Sequence, residues 1–447
     1  MAGLLPAPSI PRENTIYPEL ISPMLTEPDT TRTVPDPSPL LLPPTAVPGA
    51  VAAGGVDEPV AAHYGHPIAE QRALDRGRAV VDLCHRGVVT ISGADRLQLL
   101  HVLSSQDLAT LPPGTSTETL FLDLHGRLDF QVHLVDDGET TWMTVEPGLG
   151  ASLAGWLEAM KFASRVEIAD RSDDLAVVAT TAPVSRWDAT PCWQDPWPHI
   201  GPGGYAYTPD VDPDDHPGVD WSWYEYLVDR SALAGSNRDE QLLPDGYRWA
   251  GMMSAEALRV AAGRPRQLVD TDERSIPHEL DLLRTAVHLN KGCYKGQETV
   301  ARVHNLGHPP RRLVQLLLDG SVHGLPEPGA DVILRPEGGE TGADRARLDK
   351  ARALGRVTSV GHHHEMGPIA LAVIKRAVDP KAELLIREQL PADHADDHAP
   401  NGAEDAPDYT YMAATQQVLV ATDAGNTVGR PTGLMNLRRQ RPGTSRS

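Results

Sequence analysis

Residues 290 to 299 read NKGCYKGQET. This segment sets a thiol, Cys293, between Gly292 and Tyr294, with Lys291 and Lys295 on either side and Gly296, Gln297 and Glu298 following. A thiol reacts as the thiolate, and nearby positive charge or a helix N-terminus favours that form. The next residues, QETVARVHNLG, read as a short helix closed by Gly307. Cys293 is therefore expected just ahead of a helix start, where free backbone N–H groups attract an anion. Gly292 and Gly296 admit turn conformations closed to other residues. Glu298, in the first helical turn, opposes the thiolate unless capping or substrate contact requires it. A free cysteine is often only a small buried hydrophobe; the bracketing glycines and the two lysines favour the reactive reading here. Cys84 follows an apolar strand-like stretch and is expected in a core. Cys192 lies in a stretch rich in Pro, Asp, Gly and Trp, and neither residue is assigned a function.

Three cysteines in 447 residues, far apart and odd in number, give no disulfide framework and too few thiolates for a chain-borne iron–sulfur cluster or tetrathiolate zinc site. This usage fits a reducing cytoplasm. The net charge of -21 repels phosphate backbones and anionic lipid, so neither nucleic-acid nor membrane-surface binding is expected. The first residues, MAGLLPAPSI, lack the basic and long apolar regions of a signal peptide, and no apolar run approaches a membrane span. GHHHEMG, residues 361–367, would place His362 and His364 on one strand face with Glu365 opposite. That is a poor chelate, and no metal site is expected.

The elements that must position the thiol follow from periodicity. Residues 1–50 hold twelve prolines and almost no apolar pattern, and residues 1–55 are expected to be a disordered tail. PIAEQRALDRG reads as a helix, Val88 to Ile91 as a strand, and ADRLQLLHVL as a helix. TETLFLDLHGRLDFQVHLVDDGETTWMTV reads as a three-stranded meander with turns at His125-Gly126 and Asp137-Gly138. A helix with Leu149, Leu153, Trp156, Leu157 and Met160 in register follows, then the strands RVEIAD and LAVVATT. Residues 183–220 read as a surface excursion, WSWYEYLVD as a return to a strand, and SAEALRVAAG as a helix capped by Gly263. PHELDLL opens another helical turn at Pro277. From residue 311 short strands broken by Gly, Pro and acidic loops predict a small antiparallel barrel, over 311–433. Residues 391–408 carry six acidic residues and no Lys or Arg, and are expected to be a disordered insertion; residues 434–447 are expected to be a second tail. Strands and helices do not alternate strictly, so the class is α+β.

NKGCYKGQETVAR resembles the signature K-G-C-Y-x-G-Q-E of the YgfZ-type folate-binding proteins, relatives of the glycine cleavage T-protein (aminomethyltransferase) family. Lys291, Gly292, Cys293, Tyr294, Gly296, Gln297 and Glu298 match it in full. The resemblance extends through EALRVAAGRP, IPHELDLL, GHPPRRL and TSVGHHHEMGPIALAVIKR, and more loosely back to AVVDLCHRGVVTISGADRLQLL, covering roughly residues 60–390 and the last strand. It implies an aminomethyltransferase-like folate-binding body over residues 56–310 and a C-terminal antiparallel β-barrel. It also implies binding of tetrahydrofolate or a derivative. The role implied is in making or maintaining iron–sulfur proteins, including the tRNA-methylthiolating enzyme, with Cys293 required and those proteins or their assembly factors as partners.

Against the T-protein pattern G-x-x-D-D, the stretch GRLDF keeps Asp129 but has Phe130 in place of the second acid. DWSWYE retains only the later acid, Glu225. An aminomethyl transferase positions and activates an amine with a carboxylate, so folate binding survives the comparison better than transfer chemistry. A pterin ring needs an acid for its N–H donors, apolar walls, and a cation for the glutamate tail. Glu279 and Glu225 are the pterin candidates, and Arg259 the candidate for holding the tail or orienting an acid. The expected function is a tetrahydrofolate-binding accessory protein for iron–sulfur proteins. The alternatives are a folate-dependent aminomethyltransferase or demethylase, and a non-catalytic folate-binding scaffold.

Overall fold

The computed structural model describes residues 34–208, 216–235, 243–321, 324–336, 342–390 and 409–425. Alternation of apolar and polar residues builds the first five-stranded sheet, ordered β5 (Ser116–Leu122), β6 (Leu128–Asp136), β7 (Thr140–Val145), β4 (Gly87–Ser92) and β8 (Glu167–Asp170). In β6 the period of two sends Phe130, Val132 and Leu134 into the core and leaves Asp129, Gln131 and His133 on the opposite face. Helices α2 (Arg96–Leu103) and α3 (Gly150–Met160) cover the core face with Leu99, Leu100, Leu153 and Leu157.

The second sheet is ordered β10 (Cys192–Gln194), β11 (Tyr224–Asp229), β9 (Leu175–Thr180), β3 (Ala79–Asp82) and β12 (Arg248–Ala250), antiparallel except for the β12–β3 pair. Leu74 of α1 (Pro67–Asp75), Leu233 of α4 (Arg230–Gly235), and Met252, Ala255 and Leu258 of α5 (Met252–Ala261) pack on it. A short pair, β1 (Val51–Ala52) and β2 (Ala61–His63), stands beside it. Gly263, at φ +63°, follows α5 as a left-handed stop. The turn Pro277–Leu280 and helix α6 (Gln297–Leu306) form where their sequences predict.

The closed barrel runs β13 (Arg311–Leu318), β16 (Gly367–Lys375), β15 (Gly355–His363), β14 (Asp331–Leu334), β17 (Leu384–Gln389) and β18 (Tyr409–Val418), every pair antiparallel. Closure leaves no unpaired edge, and Val314, Leu316, Val332, Ala370, Ile374 and Ile386 fill its interior. Helix α7 (Gly342–Asp349) is inserted between β14 and β15. The fold is the expected α+β body with an antiparallel barrel.

Two expectations are corrected. Residues 34–55 are part of the fold rather than a tail: Leu40 is wholly buried in the core of the second sheet, and the Ser38 hydroxyl donates to Asp82. Proline content misled here, because rigid proline-rich chain packs well where its few apolar side chains find a pocket. Residues 183–208, the described part of the expected surface excursion up to the gap at 209–215, are packed into the fold: Trp187, Trp193, Trp197 and Tyr207 are buried, and Cys192–Gln194 forms an edge strand. Residues 1–33, 391–408 and 434–447, read as disordered, lie outside the described residues.

Candidate functional site

The face of β6 that carries Gln131 and His133 meets the face of β11 that carries Glu225, and α5 closes the space between them. The resulting cavity is narrow, with about 50 Å³ of free volume, and partly open to solvent; it has room for a few waters as it stands. The loop after α5 contributes Arg264, Arg266 and Gln267, and Trp221 and Trp223 add an aromatic wall, their rings stacked at 5.4 Å. Buried charges line it in matched sets. Arg264 donates to Glu118 at 2.8 Å and Asp195 at 3.0 Å, and Arg266 to Asp57 at 2.7 Å and Glu146 at 2.8 Å. Buried charge is tolerated only when paired and hydrogen-bonded in this way.

Glu225 is 1% exposed. It accepts from Arg86 at 2.8 Å and Trp223 at 3.2 Å on one oxygen, and from Thr144 at 3.1 Å on the other, which also meets the His133 ring at 3.0 Å. Burial alone would raise its pKa, but Arg86 and His133 outweigh that and hold the carboxyl well below its ordinary range. Three polar atoms among the lining residues have no partner: Gln131 Oε1, Arg86 Nε and Arg264 Nη1.

Cys293 sits on a loop rather than in this cavity, and it is free and exposed. The loop is held from both sides. Lys291 donates from Nζ to the carbonyls of Ser104 at 2.6 Å and Gln106 at 2.8 Å, and also to His101 O, so it ties the end of α2. Tyr294 is buried in the core that joins body to barrel. Gly296 has φ +83°, and a Cβ there would meet Asp123 O at 2.7 Å. The β5–β6 turn presses against it from the other side, where a Cβ on Gly126 would meet Thr299 at 3.0 Å. Gln297 donates to Lys291 O at 3.3 Å and closes the loop on itself.

Loop and cavity are linked through β6. Lys295 lies 3.5 Å from the Asp129 carboxylate, and Asp129 shares its strand face with Gln131 and His133. Gln267 bridges the two positions, donating to Asp129 O at 2.9 Å and accepting from Gln131 N at 2.8 Å. Burial pushes the Asp129 carboxyl up to about 6, with Lys295 opposing.

Of the residues singled out in the sequence, Glu225 is in the cavity wall and Asp129 stands between cavity and loop. Glu279 is elsewhere: both its oxygens take the Arg311 guanidinium, at 2.9 and 2.8 Å, an ion pair between body and barrel. Arg259 borders the cavity, but its five N–H groups are spent on Glu256, Asp270, Ser359 and Arg264 O. It orients acids and has no donor left for a glutamate tail. Lys291 serves carbonyls rather than the thiol, and burial pulls its ammonium down to about 8. Glu298 is neutralised by Arg302 one turn on. Gly292 is absent from the left-handed residues and has open space around its Cβ direction, so only Gly296 is required by geometry. Sequence reasoning missed Arg86, Gln131, His133, Arg264 and Arg266. The polar face of β6 and the run GRPRQ after α5 were the signals available.

No protein-family model matches the chain. A protein named as a chloroplastic transferase in Arabidopsis thaliana is 27% identical over 65% of this chain and 69% of its own length. An iron–sulfur cluster assembly factor IBA57 homologue of Mycosarcoma maydis is 27% identical over 52% of this chain and 55% of its own. The tRNA-modifying protein YgfZ of Shigella sonnei is 32% identical over 25% and 36%. Bordetella aminomethyltransferases match at 28% identity and are covered over 63–64% of their length, a little under two thirds. The glycine cleavage system aminomethyltransferase of Bartonella henselae shares the fold, with TM-score 0.59 at 15% identity over 82% of this chain and 93% of that one. Together with the loop described above, these matches make the chain a YgfZ-type relative of the glycine cleavage aminomethyltransferases.

Proposed function

We propose that this chain is a cytoplasmic, tetrahydrofolate-binding accessory protein for the synthesis or repair of iron–sulfur cluster proteins, acting through Cys293. The observation that carries the reading is an exposed free thiol on a loop locked at Lys291, Tyr294 and Gly296 and joined through Lys295 and Asp129 to the wall of a polar cavity. A thiol held for packing alone would be buried. Relatives named for iron–sulfur cluster assembly and tRNA modification support the process, and aminomethyltransferase relatives support the cofactor. Among the described residues no helix is long and apolar enough to cross a membrane.

The cavity's donor set has the chemistry a reduced folate needs, and its side chains must move apart to admit the ring. Unpartnered atoms of both polarities line it, Glu225 supplies buried negative charge, and Trp221 and Trp223 supply flat apolar surface. Gln131, Arg86 and Arg264 would hold the pteridine, and Glu225, its oxygens taken by Arg86, Trp223, Thr144 and His133, would fix Arg86 in place. Bound tetrahydrofolate supplies one-carbon chemistry at its own nitrogens. This chain's residues bind and orient it, while the Asp129 carboxyl stands ready to hold or release a proton near neutrality.

Asp129 also favours a second reading, a folate-dependent aminomethyl transferase. Phe130 weighs against it, since the side chain at the second acid's position is buried in the core behind β6. Equilibrium binding tests the folate reading. Wild type and Cys293→Ala are expected to bind tetrahydrofolate equally, and Glu225→Gln at least about tenfold more weakly, because Arg86 loses the charged partner that positions it. Absence of binding by wild type would refute it, and turnover of an aminomethyl donor would favour the transferase.

A further inference from the structure

Residues 264–267 of the loop after α5 line the cavity, and residues 269–272 of the same loop line a groove against the outer face of the barrel. The groove has about 520 Å³ of free volume, opens to solvent, and is lined by described residues alone. That is the size of a small-molecule site. Its barrel wall carries a row of cations. Arg311 on β13 stands directly opposite Lys375 on β16, and Arg356 on β15 pairs with Val373, two residues before Lys375 on the same face. Sheet geometry sets the Cβ atoms of the first pair about 5 Å apart and those of Lys375 and Arg356 about 7–8 Å apart. Like charges on neighbouring strands repel. Acids offset only Arg311, which takes Asp272 and Glu279. Lys375 Nζ donates to the Ala353 carbonyl in the groove wall at 2.7 Å and meets no acid among the described residues. Arg356 comes no nearer than 3.9 Å to Asp331, which Arg387 already holds at 2.6 Å. The groove's other acid, Asp270, is buried and takes Arg259, Thr358 and Ser359. Lys350 and Arg352, both exposed, immediately precede the lining stretch 353–358. In a chain of net charge -21 this is a concentration of unmatched positive charge.

We propose that the groove is a second binding site, for a flexible chain of carboxylates. Its cations lie in a row rather than converging on a point, so they suit anionic groups spaced along a chain and not one small anion. The net charge of the whole chain disfavours a nucleic-acid backbone. Guanidinium and ammonium groups hold carboxylates by charge-assisted hydrogen bonds, and Pro328, Leu354 and Val373 offer apolar surface to the methylenes between them. Two sources share this chemistry, the γ-glutamyl tail of a folate and an acidic peptide segment. The first rests on the folate reading above and supplies what the cavity lacks, since the donors of Arg259 are spent. The second is independent of it.

The test titrates the full chain with free tetra-γ-glutamate and with α-linked tetraglutamate, by calorimetry at low salt. Binding is expected despite the repulsion of so acidic a chain. It should weaken at least about fivefold in Arg356→Gln/Lys375→Gln and stay unchanged in Arg165→Gln, an exposed arginine of the body. Arg356 and Lys375 are exposed, so the double variant is expected to melt as wild type does. A second titration compares tetrahydropteroyl monoglutamate with the tetraglutamate. A gain of at least about fivefold for the longer tail, lost in the double variant, assigns the groove to the folate tail. Equal affinity, with α-linked tetraglutamate bound, assigns it to an acidic peptide. Binding of neither free peptide, with no gain from the longer tail, would overturn the site, and so would binding that the double variant keeps. Affinity for the monoglutamate, which the double variant leaves unchanged, reports on the folate reading separately.

Discussion

The cavity and the Cys293 loop put their charges to opposite uses. Around the cavity, four arginines meet buried acids in a closed network in which each charge depends on its neighbours. At the loop, the structural work is done by a backbone-directed lysine, a buried tyrosine and one left-handed glycine, and the thiol has no structural duty. The lesson is one of separability. An arginine of the network cannot be removed without taking a partner from buried acids, whereas Cys293 is free and exposed, which is what a residue kept for chemistry looks like.

The largest effect that would break this contrast lies in the network. Arg266→Met takes a charged partner from Asp57, Glu146 and Glu256, leaving them His85, Arg86 and Arg259, and is expected to cost about 3 kcal/mol in urea unfolding, while Cys293→Ser stays within about 0.5 kcal/mol. Similar losses for both would erase the distinction. The next effect lies within the loop. Gly296→Ala meets both a left-handed φ and a 2.7 Å contact with Asp123 O, and should cost about 1–3 kcal/mol. Gly292→Ala has open space and should change stability by less than about 0.5 kcal/mol.

The smallest effect is a pH dependence of opposite sign at two carboxyls. Asp129 is raised to about 6 from an ordinary 3.8. Its contribution to stability is complete below the unfolded value and is lost as pH rises through about 6. Glu225 is lowered by Arg86 and His133 against the effect of burial, so its contribution is present above the unfolded value of 4.5 and is lost as pH falls. Carboxyl NMR should place the Asp129 midpoint near 6, and Lys295→Met should raise it further; a midpoint near 4 would contradict the burial argument.

These contrasts also account for what the sequence disclosed. The loop was legible because its parts are contiguous, Lys291 to Glu298, and the barrel because strand and turn signals are local. The cavity was not legible. Its network draws on Asp57, Glu118, Asp195 and Arg266, brought together by sheet topology that no local period encodes. Buried ion pairs use the same residue types as a solvated surface, so the charges of Arg259 and Glu279 announced a site without saying whether they were already paired. Tryptophans among prolines and aspartates hid a packed segment at 183–208 for the same reason: composition reports solubility, not contacts.

The most direct measurement is the activity of iron–sulfur enzymes in cells whose only copy of this protein carries Cys293→Ala. The account predicts unaltered abundance and melting of the variant, unaltered tetrahydrofolate binding, and cluster-enzyme activity reduced to that of cells lacking the protein. Full cluster-enzyme activity with the variant would contradict it, and would leave a folate-binding body whose exposed thiol does nothing.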